Sequence, residues 1–189
     1  MIPFGSILSW SVPPKLNGFF VMILGYAQNF FTKRKETHAS IILDYSDKLK
    51  ANYEFEATTT TRISLFRGSE YVIAFTVEAP DEIKAQAIRD FEPFLGRIYG
   101  IVQNLWFIER WFFELFKLDV RRWRNPLGWF WLICSELVFR YLYRVAELMK
   151  WGDLLLYLDQ WKPDNVNSGD IRIIMDKMVE LKYSKSITI

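Results

Sequence analysis

The sequence predicts an α+β domain in which a small antiparallel sheet packs against helices. Three observations predict it. Between His38 and Val77, short stretches alternate apolar and polar residues with period two, split by tight polar turns. From Ile83 onward the apolar residues return at helical spacing instead. The length of 189 residues fits one domain, residues 1–189, able to bury a core without disulfides or metal staples. Disorder and collagen-like repeats are excluded by 51% hydrophobic and 24% charged residues.

Gly5 to Ser11 reads as an opening strand, closed by Pro13 and Pro14, and Leu16 to Phe31 as an apolar helix. The charge-free run between Lys15 and Lys33 contains Asn17, Gly18, Gly25, Gln28 and Asn29. It is too short and too polar for a spanning helix, which needs about 20 mostly apolar residues. The start, Met1-Ile2-Pro3-Phe4-Gly5, lacks the basic region of a signal peptide, although Lys15 could serve as the basic end of a late one. Lys33 to Glu36 is a charged turn. His38 to Tyr45 alternates, with Ala39, Ile41 and Leu43 on one face and His38, Ser40, Ile42 and Asp44 on the other. After a polar turn over Ser46 to Lys50, Asn52 to Thr58 alternates again, with Tyr53, Phe55 and Ala57 opposite Glu54 and Glu56. Arg62 to Phe66 and Glu70 to Val77 are two further strands.

Ile83, Ala87, Phe91 and Leu95 mark a helix with Asp81 as its N-cap and Gly96 at its end. Val102 to Phe116 is an aromatic helix, and Lys117 to Arg124 is basic. Asn125-Pro126 marks a turn or a helix start. Cys134, Leu137 or Val138, Tyr141, Val145 and Leu148 form an amphipathic stripe. Pro163 to Gly169 is a loop, and the tail from Asp170 fits either a helix or a strand.

The charge balance, 24 Lys and Arg against 22 Asp and Glu, gives no reason to expect a nucleic acid partner. One cysteine forms no internal disulfide, so nothing points to an oxidising compartment. With a single histidine as well, the usual zinc sites are out of reach, and no cofactor or metal is expected. The expected location is the cytoplasm or a larger assembly.

Three groups could carry chemistry: His38 on one strand, Glu56 on the next and Cys134 on a later helix. A thiol needs a base to ionise near neutral pH, and imidazole titrates there. The imidazole in turn needs an acceptor that fixes its tautomer. Pattern alone favours an inert core cysteine, because Cys134 lies on an apolar stripe, and a surface His38. A helix starting at Asn125-Pro126 would remove helix-terminus stabilisation from a thiolate at Cys134. Glu54 and Glu56 share a strand face, so periodicity does not choose between them.

A set of short motifs in order changes that balance. Gly5-Ser6-Ile7-Leu8 and Thr37-His38-Ala39-Ser40-Ile41 are followed by Glu56-Ala57, Gly96-Arg97-Ile98-Tyr99, Cys134-Ser135-Glu136-Leu137-Val138 and Lys162-Pro163-Asp164. Together they resemble the permuted NlpC/P60 papain-like superfamily, in its YiiX-like branch, kin to lecithin:retinol acyltransferase-like proteins. The resemblance spans Gly5 to about Ser168. It implies a papain-like fold and a Cys-His-Glu catalytic triad, with Cys134 as nucleophile at a helix start, His38 as base and then acid, and Glu56 as orienter. The chain departs from the family at Ser6 and Gly100, where Asp is common, and in its aromatic richness.

The implied activity is that of a cysteine hydrolase, a thiol protease or amidase acting on a peptide or peptidoglycan-like substrate through a thioester. The alternatives are a lipid-directed thiol acyltransferase or hydrolase and a non-catalytic interaction protein that keeps the fold. Aromatic residues reach 17%. Trp106, Trp111, Trp123, Trp129 and Trp131 cluster before Cys134. The first expectation for them is a helical core, because Trp106, Phe113 and Phe116 follow one helix face. The other use is an acyl groove, a membrane surface or a protein contact, flanked by Arg121, Arg122 and Arg124.

Overall fold

The computed structural model describes residues 2–10, 38–46, 51–57, 61–66, 72–96, 103–125 and 133–188. The expected helix over Leu16 to Phe31 and the charged turn after it lie outside these.

The described residues form an antiparallel six-stranded sheet with five α-helices. The strands are β1 (Ile7–Trp10), β2 (His38–Ser46), β3 (Ala51–Ala57), β4 (Thr61–Leu65), β5 (Val72–Val77) and β6 (Ser184–Thr188), in the spatial order β4-β3-β2-β1-β5-β6. The helices are α1 (Asp81–Arg89), α2 (Gln103–Leu115), α3 (Cys134–Met149), α4 (Gly152–Leu158) and α5 (Ser168–Glu180). Every strand pairing is antiparallel.

The alternation in β2 is real, but both of its faces are covered near the start of the strand. Ala39 and Ile41 enter the main core with Ile7, Phe55 and Phe75 beneath the helices. Ile42 packs on the opposite face with Leu8 and Ala74. Ser40 and His38, expected on a solvated face, are buried. A central strand with two covered faces loses the polar side that alternation normally reports. A bulge between Ile42 and Asp44 shifts the register with β3, and Asp44 beyond it is exposed.

Gly5 turns the chain into β1 at φ +70°, a conformation that favours glycine. A Cβ there would lie 2.5 Å from Lys84 Cδ and 2.7 Å from Tyr141 Oη. The space is taken because Tyr141 donates a hydrogen bond to the Gly5 carbonyl at 2.9 Å and Lys84 Nζ donates to that of Phe4 at 3.0 Å. The first strand is thereby fastened to α1 and α3.

Asp81 is the first residue of α1 rather than its cap; Pro80 occupies the capping position, with no side-chain cap bond. The fixed φ of proline suits entry to the helix, and Asp81 still complements the helix dipole while pairing with Lys84 at 2.7 Å. The apolar stripe of α3 buries Leu137, Val138, Tyr141 and Val145 as its spacing requires. The tail is helix and then strand: α5 begins inside the expected loop and ends before Tyr183, and β6 joins the edge of β5.

Candidate active site

Cys134 is the first residue of α3, and Ile133 before it is extended at φ −103° and ψ 160°. The helix therefore does not start at Asn125-Pro126, and the objection that Cys134 would sit two turns inside it falls. The first N–H groups of a helix lack intrahelical acceptors and carry the positive end of its dipole. That end now lies at the thiol.

His38, at the start of β2, is hydrogen-bonded through its ring to the Cys134 sulfur. Its backbone neighbour Ala39 donates its N–H to the same Sγ. The Ser168 hydroxyl, in the first turn of α5, lies 3.9 Å from Sγ, within hydrogen-bonding range for sulfur. Three elements thus meet at one thiol, which is only 3% exposed.

Burial pushes the Cys134 thiol up. The charge and hydrogen bond of His38, the Ala39 N–H and the Ser168 hydroxyl together outweigh it and pull the thiol down to about 7. An inert core cysteine has burial without this set of donors and shifts the other way.

Glu56 sits on β3, paired in register with Arg62 of β4. From the Ile41–Phe55 pair, β2 runs back toward His38 while β3 runs on to Glu56. The antiparallel arrangement therefore carries the Glu56 backbone to the same end of the sheet as His38; its side chain lies outside the described residues. Glu54, two residues back, is buried, and its carboxylate accepts a 2.5 Å hydrogen bond from the Ser40 hydroxyl.

A polar network behind α5 holds Ser168 in place. Asn167 caps α5 by accepting from the Asp170 N–H at 2.9 Å, while Asp170 accepts from the Asn167 N–H at 2.9 Å. Asp170 also receives a two-pronged bond from Arg110 of α2, at 2.7 and 3.2 Å, with both side chains buried. Arg110 further donates to the Asn165 carbonyl at 2.5 Å, and the Trp106 indole donates to Asn165 Oδ1 at 2.7 Å. Ser135 Oγ donates to the Val166 carbonyl at 2.6 Å. Every member of this chain is hydrogen-bonded, the condition under which buried polar groups fix a geometry rather than weaken it.

Sequence reasoning missed Ser168, Ala39 N–H, Arg110 and Asp170. Asn167 followed three residues later by Asp170 has the spacing of a capping box and could have located the start of α5. The Arg110–Asp170 pair, 60 residues apart, left no local signal.

Trp106 is buried, as the core reading of the aromatic segment requires, and Phe113 is half-buried. Phe116, expected on the same buried face, is 64% exposed. The helix ends at Leu115, so Phe116 belongs to the turn after it and leaves the face that its spacing assigns. Among the described residues no group of three His, Cys, Asp or Glu side chains could hold a metal ion, and no helix is long and apolar enough to cross a membrane.

No family model matches the chain, and no curated protein matches it.

Proposed function

We propose that the chain is a cysteine hydrolase of the permuted papain-like kind, acting by acyl transfer with Cys134 as nucleophile. The observation that carries the reading is the hydrogen bond between the only histidine and the only cysteine at the N-terminus of α3. Two residues 96 positions apart, each unique in the chain, have no need to meet in an inert core.

In this reading the Cys134 thiolate attacks a carbonyl carbon, and the resulting oxyanion is met by backbone N–H groups at the start of α3. His38 gives its proton to the departing amine or alcohol as the thioester forms. It then takes a proton from the water that cleaves the thioester, returning the thiol to its initial state. Glu56, by its place in the motif order, orients the imidazole. The first-choice substrate is an amide in a peptide or peptidoglycan-like chain. The second is an acyl lipid, favoured by the exposed rings at the end of α2.

The test is a panel of peptide amides, acyl esters and phospholipids, with mass spectrometry of the intact protein during turnover. An acyl adduct on wild-type protein, absent from Cys134→Ala, is expected. Turnover that persists in Cys134→Ala overturns the reading. No turnover and no adduct with any member of the panel favours the non-catalytic alternative.

A further inference from the structure

The carboxyl end of α2 and the turn beyond it present an apolar surface that contains none of the residues assigned to the thiol chemistry above. Phe112 is 54% exposed, Leu115 57%, Phe116 64%, Leu118 47% and Trp123 39%. The rings form one group: Phe112 lies 5.1 Å from Phe116 and 6.1 Å from Phe113, and Phe113 lies 5.1 Å from Trp123. Scattered exposed apolar residues need no explanation, but a contiguous cluster marks an interaction surface.

Backbone geometry holds the cluster outward. Lys117 adopts φ 58°, and the Lys117 and Leu118 N–H groups donate back to Glu114 and Phe113 at 2.9 and 3.4 Å. This left-handed closure ends the helix and directs the chain away from it. At its other end, α2 is anchored by buried Trp106 and Arg110, so the cluster stands on a fixed support.

Charge selects the partner. Residues 110–124 hold five Arg and Lys against two carboxylates, whereas the whole chain carries only +2. Glu114 is bound to Arg110 and Asp119 to Arg121. The excess positive charge therefore rests on Lys117, Arg122 and Arg124, all exposed and next in sequence to Phe116 and Trp123. A cavity of about 510 Å³ opens beside this turn, but in its wall Arg110 is paired with Glu114 and Asp170 and Arg121 with Asp119, so those two cations add no preference for anions. Exposed aromatic side chains with flanking cations match a bilayer interface: the rings enter the headgroup boundary while the cations meet lipid phosphates.

We propose that the surface formed by Phe112, Leu115, Phe116, Leu118 and Trp123, with Lys117, Arg122 and Arg124 around it, docks the protein on an anionic lipid bilayer. This goes beyond the hydrolase reading and does not depend on it, because the surface contains neither Cys134 nor His38. A docked chain would hold the Cys134 site at the bilayer, through the helix that also supports Ser168.

The experiment is co-sedimentation with vesicles of phosphatidylglycerol mixed into phosphatidylcholine, against pure phosphatidylcholine, with wild-type and Cys134→Ala protein. Both proteins should bind the anionic vesicles and release them as salt rises, since screening shortens to about 3 Å at 1 M. Each of Phe112→Ser and Phe116→Ser should weaken binding by roughly tenfold, the worth of an apolar side chain removed from water. Lys117, Arg122 and Arg124 changed together to Gln should weaken it by roughly a hundredfold, at the usual worth of a basic residue near an anionic surface. These residues are exposed, and an unchanged rate of Cys134 alkylation confirms that the variants remain folded. Binding that is absent, or indifferent to all of these substitutions, overturns the proposal. Concentration-dependent dimerisation abolished by Phe116→Ser, without vesicle binding, assigns the surface to a second copy of the chain and also overturns it.

Discussion

Removing His38 should make Cys134 much less reactive, by an amount the site allows to be worked out. In the native site the thiol is held at about 7, against an ordinary value of 9.0. At about pH 6 that difference multiplies the thiolate population about a hundredfold. The gain in rate is smaller, because a less basic thiolate is a weaker nucleophile: with a Brønsted coefficient of about 0.4–0.5, two units cost a little under tenfold. The net advantage is about tenfold. In His38→Ala burial remains while the imidazole charge and hydrogen bond, the largest lowering influences, are gone, so the thiol rises from about 7 and most of that advantage is lost. The sign follows from the lowered value: thiolate is present above about pH 7 and is lost as pH falls through it. The assay is iodoacetamide labelling of native protein across pH, followed by intact mass, with circular dichroism to confirm that the variant is folded. A wild-type labelling midpoint near the ordinary thiol value would refute the reasoning. So would a folded His38→Ala protein that labels as fast as wild type at mildly acidic pH.

Gly5→Ala should cost about 2–3 kcal/mol, combining the left-handed backbone with loss of the Tyr141 hydrogen bond; thermal unfolding would register this as a fall of about 2–4 °C per kcal/mol. Asp170→Asn leaves the buried Arg110 guanidinium with only the exposed Glu114 as counter-charge and should cost up to about 3–5 kcal/mol in urea denaturation. Asp176→Asn, which breaks the more exposed pair with Arg172, should cost no more than about 1 kcal/mol. The two glutamates of β3 should separate by assay. Glu56→Gln lowers turnover, whereas Glu54→Gln sets a buried amide against the Ser40 hydroxyl and lowers stability by about 1–3 kcal/mol. A larger loss of turnover in a folded Glu54→Gln would show that the wrong glutamate was assigned to the imidazole.

The strands were legible because two of them alternate between turn signals and the last is a short apolar run bounded by a turn, and all four expected between His38 and Val77 occur within a few residues of their expected bounds. What alternation did not convey was the second covered face. Ser40 and His38 read as solvent-facing polar residues, yet a central strand buries both sides, and only its neighbours β1 and β3 reveal that it is central. The α3 stripe was legible for the same periodic reason, but its first residue was not. Asn125-Pro126 is a strong local start signal, whereas Ile133 becomes the cap with no capping side chain. The meeting of Cys134 with His38 is invisible to periodicity; the order of short motifs pointed to it. The support from Arg110 and Asp170 joins helices that no local rule connects.

Cys134 also shows why burial and an apolar stripe are poor grounds for dismissing a cysteine. The stripe predicts that this side chain is inside, and it is. Burial alone would favour the neutral thiol. The thiol is lowered instead because one imidazole, one backbone N–H and one hydroxyl converge on a sulfur already placed at a helix N-terminus. A core needs none of these donors, and each would be costly to bury without an acceptor. The Cys134 sulfur is the atom they have in common. Ser168→Ala distinguishes an assembled site from incidental packing. Removing that hydroxyl leaves the apolar contacts of α3 intact, so the labelling midpoint should move up while global stability changes by no more than about 1 kcal/mol. A midpoint that does not move would mean that His38 and Ala39 suffice, and that Ser168 only fills space beside the sulfur.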